Sequence, residues 1–259
     1  MQEALLSIRA AISRGAPLYN SGDVRGCAQL YADTASALAA TGALTEVSAI
    51  EVSSLVASPP SDPNTHAWAL RHAFDRFLSD AEFVPRIEAT LPAGFPRPRR
   101  VGYVEERTYP AYRAAVTAQG GAFGLLFRHI SSNGIAMTAP VVSRMDDDGS
   151  RPVDMSFCYE VPSLGAPSGP RDGVSVVDFP PMRVLSVGVR GDGPAGEPAL
   201  DLARRALDAR LALGDVVSTG AWRKLGYNSP MVRPEQRYWD LQVGIRAACG
   251  GAAGRGRHA

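Results

Sequence analysis

Hydrophobic residues recur every three or four positions through most of the first 80 or so residues of the chain. Leu5, Ile8 and Ile12 follow this spacing, which is typical of an amphipathic helix, and we expect Gly15 to end that helix in the left-handed conformation. The polar turn at residues 20–23 supplies an N-cap for a second helix. The apolar stripe of the second helix comprises Val24, Cys27, Tyr31, Thr34 and Leu38.

The rest of this first region contains one ambiguous segment and one clear helix. Residues 44–56 are apolar without a regular period, so the pattern leaves their secondary structure open. After a proline-rich break, a last helix has one apolar face made of Ala67, Leu70, Phe74 and Phe77. We therefore predict that residues 1–90 form a small all-α domain.

Proline, glycine and arginine dominate residues 91–100, which we interpret as a linker whose arginines face solvent. Beyond the linker the hydrophobic period changes to two. Tyr112, Ala114 and Val116 alternate with their neighbours in the manner of a β-strand. This change of period indicates that a second domain, residues 101–247, has a different architecture from the first.

Two successive units of this domain share the order strand, helix, strand, strand. The first unit places a short helix at residues 122–131, which we expect to bury Phe123, Leu126, Phe127 and Ile130. The second unit begins at residues 181–187, which resemble residues 110–116, and continues with a helix from Pro198. Two such units predict an α+β fold, in which one sheet or distorted β-barrel carries a pair of helices.

Composition and charge restrict the possible functions. The 259 residues include 27 basic and 26 acidic side chains, and no basic face of the kind used by nucleic-acid-binding proteins is visible. The three cysteines lack metal-ligand spacing, which favours a reducing compartment. No apolar run is long enough to span a membrane and no signal peptide is visible. We expect a cytoplasmic protein, or a plastid protein if a transit peptide has been removed, with a disordered glycine-rich tail at residues 248–259.

One glycine-rich motif suggests a nucleotide. Residues 191–196 fit the pattern G-x-G-x-x-G ahead of a predicted helix, and Asp215 follows at a suitable distance for a ribose contact. However, Pro194 removes an amide that would bind phosphate, and a hairpin follows the helix in place of a parallel crossover. We therefore do not expect nucleotide binding. No familiar nucleophile, zinc or P-loop pattern occurs either, so we predict no catalytic residue and a protein that is not an enzyme.

Three segments of the second domain have distinctive sequences: ERTYPAYR at residues 106–113, FRHISSNGIAMTAPV at residues 127–141, and GYNSP with RYW within residues 226–239. Together they resemble the SOUL haem-binding protein family. The segments occur in the family's order, and the resemblance covers residues 101–247. It implies a SOUL-like, gyrase-inhibitor-like fold, a distorted β-barrel with two long helices.

The resemblance also implies a ligand. It implies that haem or another tetrapyrrole binds in an apolar groove beside the first helix of this domain, in a protein that acts as a carrier, buffer or sensor. The chain has no Cys-x-x-Cys-His motif for covalent attachment. Some family members have a proposed iron-ligating histidine in the first strand. Here that position is Thr108, so the resemblance implies binding without ligation from this strand.

The chemistry of a porphyrin selects candidate residues near that helix. A porphyrin is a flat apolar disc with carboxylates at one edge, so its site needs apolar walls and cations at the rim. Leu125, Arg128 and His129 lie on the helix face opposite the expected core stripe. Arg128 is a candidate partner for a propionate. His129 is a candidate iron ligand, although a lone helical histidine more often has a structural role.

Three further residues are candidates for the same groove. Met137 lies in the loop after the helix, and Tyr227 and Met231 lie in the closing segment that resembles the family. Two other functions remain open: a protein-interaction scaffold that docks a partner through the N-terminal helical domain, and an enzyme that acts on a tetrapyrrole or a nucleotide.

Overall fold

The computed structural model describes residues 1–191 and 198–248, and the first region consists of four α-helices. They are α1 (Gln2–Asn20), α2 (Val24–Thr41), α3 (Glu46–Ala57) and α4 (Pro63–Glu82). The ambiguous segment is thus helical, and the hydroxyl of Thr45 caps α3 by accepting a hydrogen bond from the Ser48 N–H. The predicted helical region is confirmed, and its helices share one apolar core around Ile8, Tyr31 and Phe74.

The first helix is longer than predicted, because Gly15 does not end it. Helix α1 continues through Gly15 and Pro17 to Asn20. Gly15 is buried against Tyr31 of α2, and a Cβ atom at this position would lie 2.3 Å from the Cε1 atom of that ring. The glycine therefore permits a close approach of two helices instead of forming a helix end, and the expected end at Gly15 is wrong.

The described part of the second region contains nine β-strands, two α-helices and a short 3-10 helix at Pro234–Gln236. The strands are β1 (Val104–Tyr109), β2 (Tyr112–Thr117), β3 (Val141–Arg144), β4 (Met155–Cys158), β5 (Ser168–Arg171), β6 (Val174–Phe179), β7 (Met182–Arg190), β8 (Val216–Gly226) and β9 (Tyr238–Ala247). The helices are α5 (Ala122–Ser132) and α6 (Pro198–Leu211). All strands join one antiparallel sheet in the order β1-β7-β9-β8-β3-β4-β2-β6-β5.

The sheet order shows the predicted repeat directly. The first unit, β2-α5-β3-β4, contributes the strand order β3-β4-β2, and the second unit, β7-α6-β8-β9, contributes β8-β9-β7. The two units meet where β3 pairs with β8, so the order is symmetric about this pair. The strand that precedes each unit in the chain pairs with the other unit. Strand β1 precedes the first unit and pairs with β7 of the second, and β6 precedes the second unit and pairs with β2 of the first. The predicted α+β fold is confirmed, and the sheet is open, with β1 and β5 at its edges in the described part of the chain.

Helix α5 buries a narrower stripe than predicted. Leu126 and Ile130 are buried against the sheet, whereas Phe123 and Phe127 are 47% and 50% exposed. Successive residues of an α-helix are about 100° apart, so Phe127 is turned away from Leu126 towards one flank of the helix. The two phenylalanine rings stack on this flank, with their centroids 6.2 Å apart. The expectation that both are core residues is wrong, because an 11-residue helix lying on one face of a sheet buries only its central stripe.

The proline-rich segment between the two regions packs on the sheet. Phe95 is 7% exposed, and its ring meets those of Tyr109 and Tyr112 edge-on at centroid distances of 5.0 and 5.2 Å. The N–H of Ala93 donates a hydrogen bond to the carbonyl of Glu160. The three arginines of this segment are exposed, as their charge requires. The segment thus adds an aromatic side chain to the core of the second region.

Two predictions fall largely outside the described residues. Only Gly191 of the glycine-rich motif at residues 191–196 is described, and only Ala248 of the tail at residues 248–259. Across the described ranges, no helix is both long enough and apolar enough to cross a membrane.

Candidate functional site

A groove of about 650 Å³ lies beside α5 and is called the α5 groove below. It is formed by α5, the turn after α5, the segment after β4, and strands β5 and β6. Its lining includes Leu125, Arg128, His129, Ser132, Ile135, Tyr159, Leu164, Arg171, Asp172, Val174 and Val176. The volume lies within the range of small-molecule sites, roughly 300–1,000 Å³.

Helical geometry explains why one flank of α5 lines this groove. Leu125 and His129 each precede a buried residue of α5, so their side chains are turned by about 100° to the flank opposite the exposed phenylalanines. Leu125 is half-buried and packs against the apolar cluster that contains Leu126. Strand β6 presents Val174 and Val176 to the same space. The groove therefore has an apolar strip between one helix and one strand, and much of its remaining lining is polar.

A hydrogen-bonded pair lies in the α5 groove. The Nε2 atom of His129 is 2.9 Å from the hydroxyl oxygen of Tyr159. Burial lowers the pKa of His129, so its ring is neutral at neutral pH. Burial also raises the pKa of Tyr159, against the opposing effect of Arg113, so its phenol keeps its proton. The pair is therefore uncharged, and a neutral imidazole is the form that can bind a metal.

In the described part of the chain, two cations at the rim of the α5 groove have no carboxylate partner. Arg128 of α5 and Arg171 of β5 are both exposed lining residues. Neither makes an ion pair within the described ranges, although Asp172 also lines the groove. A guanidinium presents a planar fork of donors that matches a carboxylate, so these two side chains can hold an anionic ligand edge.

The structure brings Leu125, Arg128 and His129 together and separates the other three candidates from them. Met137 is half-buried in the apolar cluster beneath α5 and does not line the groove. Tyr227 is 2% exposed and packs in another cluster, beside β9. Met231 is 91% exposed on the loop before the 3-10 helix. The closing segment therefore lies away from the α5 groove, because its residues belong to β8, β9 and the loop between them, which are part of the second unit.

Tyr227 belongs instead to a buried ionic network. Asp240 is fully buried, and its Oδ2 atom lies 2.8 Å from a nitrogen of Arg107, which is itself 5% exposed. The hydroxyls of Tyr227 and Tyr238 donate hydrogen bonds of 2.8 and 2.7 Å to the same carboxylate. Burial lowers the pKa of Arg107, but Asp240 together with Tyr238, Tyr109 and Glu105 raises it by more, so the net shift is upward and the guanidinium stays charged. Segments that resemble the family thus contribute to a core network.

Sequence reasoning missed several residues of the α5 groove, among them Tyr159 and Arg171. Tyr159 continues the alternation of Met155 and Phe157, so its position beneath α5 was available from the period of the strand. Arg171 left no such signal, because β5 is a short edge strand with a bulge and no hydrophobic alternation. In the described residues, no group of three or more His, Cys, Asp or Glu side chains is placed to hold a metal ion.

Comparison with known proteins gives one family. The profile of the SOUL heme-binding protein family matches residues 97–243, which is more than half of the chain. No curated protein matches the sequence.

Solved structures similar to this chain include three that share little sequence with it. The C-terminal domain of EcmrR has 12% identity over 56% of this chain and 97% of that one, with a TM-score of 0.42. A hydrolase from Listeria innocua has 7% identity over 55% and 91%, with a TM-score of 0.41. SAV2435 bound to tetraphenylphosphonium has 8% identity over 55% and 93%, with a TM-score of 0.32. At these TM-scores, no conclusion about the ligand of this chain follows from them.

Proposed function

Because this chain belongs to the SOUL heme-binding protein family through residues 97–243, we propose that it binds haem or a related tetrapyrrole non-covalently in the α5 groove. The observation that supports this site most strongly is an apolar strip with two exposed arginines at its rim, Arg128 and Arg171, neither of which forms an ion pair within the described ranges. A tetrapyrrole has the complementary surface, since its ring faces are apolar and its carboxylates lie at one edge.

In this proposal different side chains of the α5 groove contact different parts of the tetrapyrrole. Leu125, Val174 and Val176 cover a face of the ring and exclude water from it. Arg128 and Arg171 pair with the propionates at the rim. A charge-assisted hydrogen bond in a partly dry setting contributes about 1.5–3 kcal/mol, so the loss of one arginine is measurable.

Iron ligation is a minor contribution in this proposal. The Nε2 atom of His129 is engaged by the hydroxyl of Tyr159, so ligation through Nε2 would break that hydrogen bond. Thr108 lines a different cavity and has no imidazole. When bound, haem would supply a redox-active iron and a visible absorption band. The chain itself supplies apolar contact and rim charge, as expected of a carrier, buffer or sensor.

The compartment belongs to the same proposal. Cys27 and Cys158 are both free and buried, which supports a reducing environment such as the cytoplasm or a plastid stroma. A free tetrapyrrole is poorly soluble and reactive, and a protein groove with charged arginines at its rim would keep it dispersed there.

The experiment is a hemin titration of the whole chain, followed by visible absorption. Arg128→Glu should weaken hemin binding at least tenfold, a change of about 1.4 kcal/mol, because it replaces an attraction with a repulsion. The matched control is Arg14→Glu on α1, which replaces an arginine that is exposed like Arg128 and lies outside the groove, and it should change the affinity less than about twofold.

Thermal melts of both variants keep the comparison interpretable, since exposed arginines contribute little to stability. A second variant, Leu125→Asp, should also weaken hemin by wetting the apolar strip. Unchanged affinity in both Arg128→Glu and Leu125→Asp would exclude the α5 groove as the site.

A further inference from the structure

A second cavity, of about 630 Å³, lies between the two units of the sheet and is called the central cavity below. Its lining includes Thr108, Tyr112, Val142, Val184, Arg223 and Ile245, and none of these residues lines the α5 groove. The side chains come from both units, on strands β1, β2, β3, β7, β8 and β9. The central cavity is therefore separate from the groove proposed for the tetrapyrrole.

The walls of the central cavity are largely apolar and aromatic. The ring of Tyr112 stacks on that of Phe179 with a centroid distance of 4.8 Å and an angle of 9° between the planes. Trp222, which is 7% exposed, also lines it. Parallel aromatic rings of this kind favour a flat apolar ligand, because such a ligand can continue the stack.

One buried cation in this wall, Arg223, has no counter-ion among the described residues. Arg223 is 7% exposed and lines the central cavity. Its Nε donates a hydrogen bond of 2.8 Å to Oε1 of Gln242, and its Cζ lies 4.3 Å from the ring centroid of Tyr109. Among the described residues, its Nη2 atom has no hydrogen-bond partner and its guanidinium makes no ion pair.

The nearby carboxylates are already engaged by other arginines. Asp154 forms an ion pair of 2.8 Å with Arg144, and Glu106 accepts a hydrogen bond of 2.8 Å from the Nε of Arg183. These pairs leave Arg223 as an uncompensated positive charge in the wall. A buried charge without a partner is costly, and the contact with an aromatic ring offsets only part of that cost.

We propose that the central cavity binds a flat apolar molecule carrying one carboxylate, which Arg223 holds through its unpartnered Nη2. A carboxylate is favoured over a phosphate, because its single negative charge matches the single buried guanidinium, whereas a phosphate carries up to about two charges. A lipophilic cation is disfavoured by the charge of Arg223. This site goes beyond the tetrapyrrole groove, and neither proposal depends on the other.

The test compares 1-pyrenebutyrate with its neutral analogue 1-pyrenebutanol, measured by equilibrium dialysis against the full chain without hemin. The wild-type protein should bind the carboxylate at least tenfold more tightly than the alcohol. Arg223→Gln should remove this preference, with at least a tenfold loss for the carboxylate and less than about a twofold change for the alcohol.

Two further variants separate the possible outcomes. Ala221 is an exposed lining residue, so Ala221→Trp should fill the cavity and weaken both probes without touching the guanidinium. This variant decides the question if Arg223→Gln fails to fold. Arg128→Glu, in the α5 groove, should leave both affinities unchanged. Equal binding of the two probes to the wild-type protein, or a loss of binding in Arg128→Glu but not in Ala221→Trp, would overturn the proposal.

Discussion

Asn in place of Asp240 should be among the most destabilising single changes in the second region. The substitution keeps the size of the side chain but removes the charge that faces Arg107 at 2.8 Å. Arg107 would then lie 5% exposed, with Glu105 at 3.0 Å as its remaining counter-ion. Removing one partner of a buried ion pair typically costs about 3–5 kcal/mol, because the other charge stays buried. We therefore expect Asp240→Asn to lower the free energy of unfolding by about this amount.

Urea denaturation of matched variants tests this reasoning. Tyr227→Phe removes one of the hydrogen bonds to Asp240 and should cost about 1.5–3 kcal/mol, which is less than Asp240→Asn. The double variant Arg107→Met/Asp240→Leu removes both charges and should be more stable than Asp240→Asn, since no unpaired charge remains. An unfolding free energy for Asp240→Asn within about 1 kcal/mol of the wild-type value would refute the argument.

Three other predictions follow from the structure. Metal-free protoporphyrin IX should bind within about tenfold of hemin, and a far larger preference for hemin that disappears in His129→Ala would show that this histidine ligates the iron. Burial lowers the pKa of His129, so the unfolded chain binds more protons at this residue than the folded chain does. The free energy of unfolding should therefore fall as the pH is lowered from about 7 to 5, and it should fall less in His129→Gln. An NMR titration that finds no lowered pKa for His129 would contradict this prediction. A fragment of residues 83–247 should fold alone, and it should unfold at a higher urea concentration than a fragment of residues 101–247, because the shorter fragment lacks Phe95. Equal urea midpoints for the two fragments would contradict this prediction.

The periodicity of the sequence was sufficient to predict the fold class. Alternation at Tyr112, Ala114 and Val116 marks β2, and the similarity of residues 110–116 to 181–187 marks the repeat that the symmetric sheet order shows. The alternation and the repeat reflect which residues of each element are buried, so they are visible in short stretches of the sequence. The order in which the units join was not available, because pairing of β3 with β8 is a contact between distant residues.

The errors arose where tertiary packing decides the role of a residue. Gly15 occurs where a glycine often ends a helix, but here it lies inside α1, because the ring of Tyr31 leaves no room for a side chain. Phe127 has the spacing of a core residue, but it lies on a flank of α5 that the described residues leave half exposed. Tyr227 lies in a family-like segment, but its hydroxyl serves Asp240 on the neighbouring strand. A single sequence does not distinguish a motif residue that binds a ligand from one that maintains the core.

Hydrogen–deuterium exchange of the whole chain, with and without saturating hemin, tests the central claim most directly. We expect slower amide exchange on hemin binding in residues 122–135 and 159–176, the segments that form the α5 groove. Residues 1–82 should exchange unchanged. Absence of any protection, or protection confined to the strands β7 and β8 of the central cavity, would contradict the proposed tetrapyrrole site.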